Sequence, residues 1–187
     1  IRRPPRSTPS NSSAASDVYK RQTIDYYEEF ERDKIVWPEI AMESRAAFDN
    51  QNFYYPTTAF IIPLSDMYLL GLLNSKAIWF MLQHICAVLG DVKKRGRLRL
   101  KRQYLLNLPI CPIDFSNPTD KTNHDRMVQL VQRMLDLHKS LAAAQTPNEK
   151  TALQRQITTT DRQIDKLVYE LYNLTDDEIS IVEGSAV

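Results

Sequence analysis

The last third of the chain contains an apolar stripe whose spacing predicts a long helical hairpin. The members of the stripe recur at intervals of three or four residues: Leu153, Ile157, Thr160, Ile164, Leu167 and Leu171. An earlier segment, from Met127 to Leu141, also repeats apolar residues at helical spacing. Between the two, Thr146-Pro-Asn-Glu149 has the pattern of a helix-capping box. Because a heptad stripe is buried best against another helix, the two segments are predicted to pack antiparallel.

Upstream of these helices, two short segments have the composition of β-strands. Residues 34–41 and 53–63 are rich in β-branched and aromatic side chains, which favour strands. Pro38 interrupts the first segment and is typical of an edge strand or a bulge. The polar residues 43–52 between the two segments are predicted to form a loop.

Two helices are predicted to cover this sheet. Ser65-Asp66 is a typical N-cap for a helix over residues 67–73, and Asn74-Ser75 for a second helix that runs to about Gly90. Their broad apolar surface must be buried. The predicted fold class is therefore α+β: a small mixed sheet with covering helices, followed by the long antiparallel helical hairpin.

Residues 1–22 differ from the rest of the chain in composition. They are rich in arginine, serine and proline, and they resemble translated sequencing-adaptor read-through. They are therefore interpreted as a non-native or disordered tail, and the chain as a fragment without its N-terminal partner sequence. The remaining residues have 19 basic and 22 acidic side chains. We expect one domain over residues 23–117 and the hairpin with a short closing helix over residues 118–187.

The sequence predicts no catalytic motif. A dinucleotide or methyl-donor site needs closely spaced glycines at the start of a helix, whereas those of this chain are well separated: Gly71, Gly90, Gly96 and Gly184. Asp91-Val-Lys93 matches the end of a common nuclease core, but a charged turn is the preferred interpretation of so short a string.

No metal site, disulfide framework or membrane span is predicted. His84-x-Cys86 is the nearest approach to a metal pair, but no second pair accompanies it, and a place within a buried helix is the preferred interpretation. The two cysteines, Cys86 and Cys111, favour a reducing compartment. The apolar stretch 69–90 is interrupted by polar side chains, which argues against a membrane span.

A run of basic residues is the strongest sign of function. Seven of the ten residues from 93 to 102 are basic: Lys93, Lys94, Arg95, Arg97, Arg99, Lys101 and Arg102. Leu98 and Leu100 alternate with Arg97, Arg99 and Lys101. This alternation predicts a strand with one buried and one cationic face. Forked arginine donors suit phosphates and guanine edges, so DNA or RNA is the expected partner. A solvated charge run is the alternative interpretation.

The polar loop predicted between the two strands supplies further candidates. Its side chains are able to read base edges: Arg45, Asn50, Gln51 and Asn52. Loops carry specificity in many binding modules, yet any surface loop is polar, so both interpretations stay open.

Several strings in this order resemble a known family. They are Lys34-Ile-Val-Trp-Pro-Glu-Ile40, Phe53-Tyr-Tyr-Pro56, Leu69-Leu-Gly-Leu-Leu-Asn-Ser-Lys76 and Arg97-Leu-Arg-Leu-Lys-Arg-Gln-Tyr-Leu105. Together they resemble the TaqI-like C-terminal specificity domain, the target recognition domain of adenine-specific DNA methyltransferases in type IIG restriction–modification enzymes. Residues 164–184 are similar to the closing helices of the same enzymes.

The resemblance implies a sequence-specific DNA recognition module that binds double-stranded DNA in the prokaryotic cytoplasm. It implies that S-adenosylmethionine and the catalytic residues belong to a missing N-terminal methyltransferase domain of the parent. Phage-defence methyltransferases without a nuclease share the same ending, so the resemblance leaves open whether the parent also cleaves DNA. The alternative from a different class is a helical protein-interaction or scaffold domain in which the basic run is incidental.

Overall fold

A computed structural model describes residues 27–90 and 96–185 of the 187-residue chain. Its strands are β1 Lys34–Pro38, β2 Ile40–Ala41, β3 Ala47–Asp49, β4 Ala59–Ile62, β5 Ala87–Leu89 and β6 Arg97–Arg99. Its helices are α1 Tyr27–Phe30, α2 Met67–Asn74, α3 Lys76–Ile85, α4 Arg102–Leu105, α5 Pro118–Ala143, α6 Pro147–Leu171 and α7 Asp176–Ser185. The predicted α+β class is confirmed.

The described strands form two small sheets. The first sheet has the order β3-β1-β4 and the second sheet β2-β6-β5, and every described pairing is antiparallel. The sequence predicted one mixed sheet, because composition identifies a strand but not the direction of its neighbour. Glu39 connects the two sheets: its N–H donates to the Thr58 carbonyl at 2.8 Å, and its carbonyl accepts from the Leu100 N–H at 2.7 Å.

Three element boundaries differ from the sequence-based prediction. β3 lies inside the predicted loop 43–52, since a three-residue strand is too short to show alternation. The predicted strand 53–63 is confined to β4, after a turn that follows Pro56. The second helix ends at Ile85, and the next residues become β5, in which Val88 pairs with Leu98.

A buried ion pair fixes β1 to β3. Lys34 Nζ lies 2.8 Å from Asp49 Oδ2, both side chains are buried, and Nζ also donates to the Phe30 carbonyl at 2.6 Å. Burial acts to raise the pKa of Asp49, but hydrogen bonds from Lys34, the Gln51 N–H and the Tyr55 hydroxyl outweigh it, so the pKa lies below its ordinary value. Every charge in this pair is therefore compensated, as burial requires.

The predicted helical hairpin is confirmed. The capping box at the start of α6 is present, with Thr146 and Glu149 exchanging hydrogen bonds between side chain and backbone. The seam between α5 and α6 contains four buried stripe residues, Ile157, Thr160, Ile164 and Leu167, and three buried residues of α5, Met127, Val131 and Leu137.

One apolar core joins the hairpin to the residues that precede it. Trp37, Leu72 and Leu98 belong to the same buried cluster as Met127 and Leu167. The core therefore includes residues from both sides of the domain boundary predicted after residue 117, and that boundary stays a prediction. In the described part of the chain, no helix combines the length and the apolar character that crossing a membrane would require.

Candidate nucleic-acid interface

The outer side of the second sheet presents the basic residues of β6. Arg97 is exposed and Arg99 is half-buried, whereas Leu98 and Leu100 are 4% and 0% exposed. The pleat of the strand sends alternate side chains to opposite sides, so the predicted separation of cationic and buried residues is confirmed. We call Arg97, Arg99 and the following Lys101 the cationic face.

Small or apolar residues flank the two arginines in the sheet. Ile40 on β2 and Ala87 on β5 pair with Arg99 from its two sides, and Leu89 on β5 pairs with Arg97. Directly paired residues share one side of a sheet, and 44% of Ile40 is exposed. The surface around the arginines therefore offers forked donors next to accessible apolar groups.

Glu39 forms an ion pair with one of these arginines. Arg99 Nε donates to Glu39 Oε1 at 3.0 Å, across 60 residues of sequence. The side chains of Arg99 and Glu39 are 42% and 21% exposed. Sequence reasoning missed Glu39, although Pro38 marked a break in the strand at this point. Only the pairing of β2 with β6 brings the two side chains together.

The rest of the basic run extends beyond the sheet on both sides of β6. Lys101 is the N-cap residue of α4 and half-buried, and Arg102 is the first residue of that helix and exposed. Lys93, Lys94 and Arg95 lie outside the described residues, in the segment of sequence between β5 and β6. Asp91-Val-Lys93 lies there too.

The second candidate group lies on the first sheet. Asn50, Gln51 and Asn52 are exposed in the turn after β3, where the Asp49 carboxylate accepts the backbone N–H groups of Gln51 and Phe53 at 2.8 and 3.1 Å. Asn52 has a φ of 58°, a left-handed conformation that asparagine tolerates. The turn is therefore held in one shape by a buried carboxylate.

Arg45 lies before β3, apart from that turn. Its guanidinium is exposed and paired with Glu43. Arg45 and Gly96, which precedes β6, line the same open cleft of about 1060 Å³, whose other wall includes His138 and Asp161 of the hairpin. The structure thus brings Arg45 near the start of β6.

The described residues show no site for a catalytic metal. No group of three or more histidine, cysteine or acidic side chains is placed there to hold an ion. Cys86 is buried, as expected, but His84 is exposed, and its Nδ1 lies 2.8 Å from the Phe80 carbonyl oxygen. Burial raises the pKa of the Cys86 thiol to about 11, which disfavours the thiolate needed for metal binding or nucleophilic attack.

A family model described as the TaqI-like C-terminal specificity domain matches residues 8–110, more than half of the chain. The matched range begins within residues 1–22, includes both sheets and ends before the hairpin. No curated protein matches the chain.

Proposed function

The chain belongs to the family of TaqI-like C-terminal specificity domains, the DNA-specificity domains of restriction–modification systems, and from this premise we propose that its cationic face contacts double-stranded DNA. The observation that supports the proposal best is the orientation of β6. Leu98 and Leu100 fix the strand in the core, so Arg97 and Arg99 are directed outward from a rigid element. Rigid presentation lowers the cost of ordering side chains on binding.

Phosphate and base contacts are proposed to be divided among the basic residues. Lysines are point charges, suited to phosphates, whereas arginines also fork onto guanine. We assign Lys93, Lys94 and Lys101 to phosphates together with Arg95 and Arg102. The exposed turn of Asn50, Gln51 and Asn52, with Arg45, is proposed as a second group of DNA contacts, because amide side chains pair with adenine edges.

The proposal extends to the parent enzyme. Four sequence strings of this chain resemble the target recognition domain of adenine-specific DNA methyltransferases. We therefore propose that a separate N-terminal domain of the parent enzyme binds S-adenosylmethionine and methylates adenine in the prokaryotic cytoplasm. This chain would then choose the sequence and leave the chemistry to that domain. Incubation of the chain with duplex DNA and a labelled methyl donor should give no incorporation above background, and incorporation would contradict this division of labour.

Duplex binding at graded salt tests the DNA-binding role. When a protein neutralises DNA phosphates, the logarithm of its binding constant falls linearly with the logarithm of the salt concentration, with a slope of about −0.9 per phosphate contacted. We expect a steep negative slope. The rival scaffold function, in which the hairpin binds a protein, predicts no binding to duplex at any salt concentration.

A further inference from the structure

The backbone of Glu39 is fixed from both sides. Its N–H is bonded to Thr58 beside the first sheet and its carbonyl to Leu100, which directly follows β6. Arg99 is equally constrained, since it lies on the central strand of the second sheet, paired with both Ile40 and Ala87. The ion pair between the two side chains therefore joins two rigid backbone positions.

The contact engages one defined part of the guanidinium. Glu39 Oε1 accepts from Nε at 3.0 Å, and within the part of the chain that the structure describes this is the only hydrogen bond of the Arg99 side chain. An arginine has five N–H donors in a planar fork. The other four, on the two terminal nitrogens, have no hydrogen-bond partner among the described residues, and 42% of the Arg99 side chain is exposed.

The charge of the pair favours a base over a phosphate. Glu39 offsets the positive charge of Arg99, and its carboxylate would repel a phosphate placed beside the guanidinium. Guanine instead offers two neutral acceptors, O6 and N7, which an arginine fork binds in the major groove. The exposed side chain of Ile40 next to Arg99 suits an apolar contact such as a thymine methyl group.

We propose that Glu39 is a positioning residue that holds Arg99 ready to read a guanine, so that Arg99 determines one position of the recognised sequence. The inference rests on the proposed function of the cationic face and deepens it. Arg97 serves as the comparison: no carboxylate among the described residues forms an ion pair with it, and an arginine charge without such a partner suits a phosphate.

The test uses the full chain and a pool of duplexes with a randomised central segment. Duplexes retained by the chain are sequenced, and the preference at each position is compared between wild type, Glu39→Ala, Arg99→Lys and the matched control Arg97→Lys. The wild type should enrich guanine at one position of the duplex. At that position Arg99→Lys should lower the preference for guanine over the other bases by about 5- to 150-fold, the range for one forked contact. Glu39→Ala should weaken the guanine preference at that position and at no other. Glu39→Gln keeps an acceptor for Nε, so its guanine preference should lie between those of wild type and Glu39→Ala.

The affinity of each variant for the randomised pool before selection shows whether Glu39 positions Arg99 or is needed for folding, since a misfolded variant would lose this affinity. Glu39→Ala should raise this affinity, because it removes a negative charge from beside the cationic face, and Arg97→Lys should preserve the guanine preference. Glu39→Ala overturns the inference if it reduces enrichment at every position alike or leaves the guanine preference intact. A wild-type chain that binds the pool without any guanine preference also overturns it, while the DNA-binding function stands. A wild-type chain that does not bind the pool overturns the proposed function itself.

Discussion

The carboxylate of Asp165 accepts a hydrogen bond from the backbone N–H of Lys76 at 2.9 Å, across 89 residues of sequence. Lys76 is the first residue of α3, whose N-cap Ser75 already accepts from the Ile78 N–H, and Asp165 lies in the C-terminal third of α6. The hairpin therefore supplies an acceptor for a further N–H in the first turn of α3, where backbone donors have no partner within the helix. The ammonium group of Lys76 lies 3.9 Å from Asp165 and 3.4 Å from Glu183 on α7. Three helices therefore meet at one residue.

This contact predicts a pH-dependent stability. Burial raises the pKa of Asp165 from 3.8 to about 6, against the opposing effect of the Lys76 N–H and with the help of the nearby Asp161 and Glu183 charges. The folded chain then binds the proton more tightly than the unfolded chain. Asp165 accordingly contributes stability at low pH that is lost as the pH rises through its folded pKa.

Asp165→Asn keeps an oxygen acceptor for Lys76 but cannot ionise. Its free energy of unfolding should therefore increase relative to wild type by about 1–3 kcal/mol as the pH rises through the pKa of Asp165. Urea unfolding at a series of pH values measures the difference, and Asp136→Asn, which replaces an exposed carboxylate on α5, is the control for removing one negative charge from the hairpin. A pH-independent difference for Asp165→Asn would contradict the account.

Gly71 permits the close approach of α2 to α5. A Cβ atom there would lie 2.6 Å from Met127 Sδ and 2.9 Å from Val131 Cγ2, both on buried side chains of the hairpin. Gly71→Ala should therefore destabilise the chain by about 1–3 kcal/mol through overpacking. Gly184→Ala is the matched control, since a Cβ there meets nothing within 4 Å, and it should be neutral or stabilising. Equal melting temperatures for the two variants would show that α2 and α5 are not in close contact.

Ile157 tests the seam of the hairpin. Its side chain is 7% exposed in the stripe, so Ile157→Ala should lower the free energy of unfolding by about 2–5 kcal/mol. Leu153→Ala, a truncation at a half-buried position of the same stripe, should cost less. If Ile157→Asp left the melting temperature unchanged, the stripe would not be a core seam.

The features that the sequence predicted are those that show as regular residue spacing within one helix or strand. The stripe from Leu153 to Leu171 and the alternation of Leu98 and Leu100 with arginines each need only one helix or one strand to be recognised. Both are present in the structure. The capping box at Thr146 belongs to the same class, because its two partners are three residues apart.

The features that the sequence did not predict depend on contacts between distant residues. β3 and β5 have three residues each, too few for a period, and they exist because partners on β1 and β6 satisfy their backbone groups. The Arg99–Glu39 and Lys76–Asp165 contacts likewise follow from how the two sheets and the hairpin are placed. The candidate site was therefore predictable only in part: the arginines could be named, but not the carboxylate that accepts a hydrogen bond from Arg99.

The central claim is that the cationic face contacts DNA, and the salt dependence of duplex affinity tests it most directly. The triple change of Arg97, Arg99 and Lys101 to Ala is compared with wild type and with a matched triple change, Lys150, Arg155 and Arg162 to Ala, which removes the same charges from exposed positions of α6. We predict that the first variant loses affinity at low salt and that the magnitude of its salt slope falls by about 0.9 for each phosphate contact removed, whereas the matched variant stays close to wild type. Unchanged affinity and slope in the first variant, or equal losses in both, would contradict the account and leave the basic run of β6 as a solvated surface.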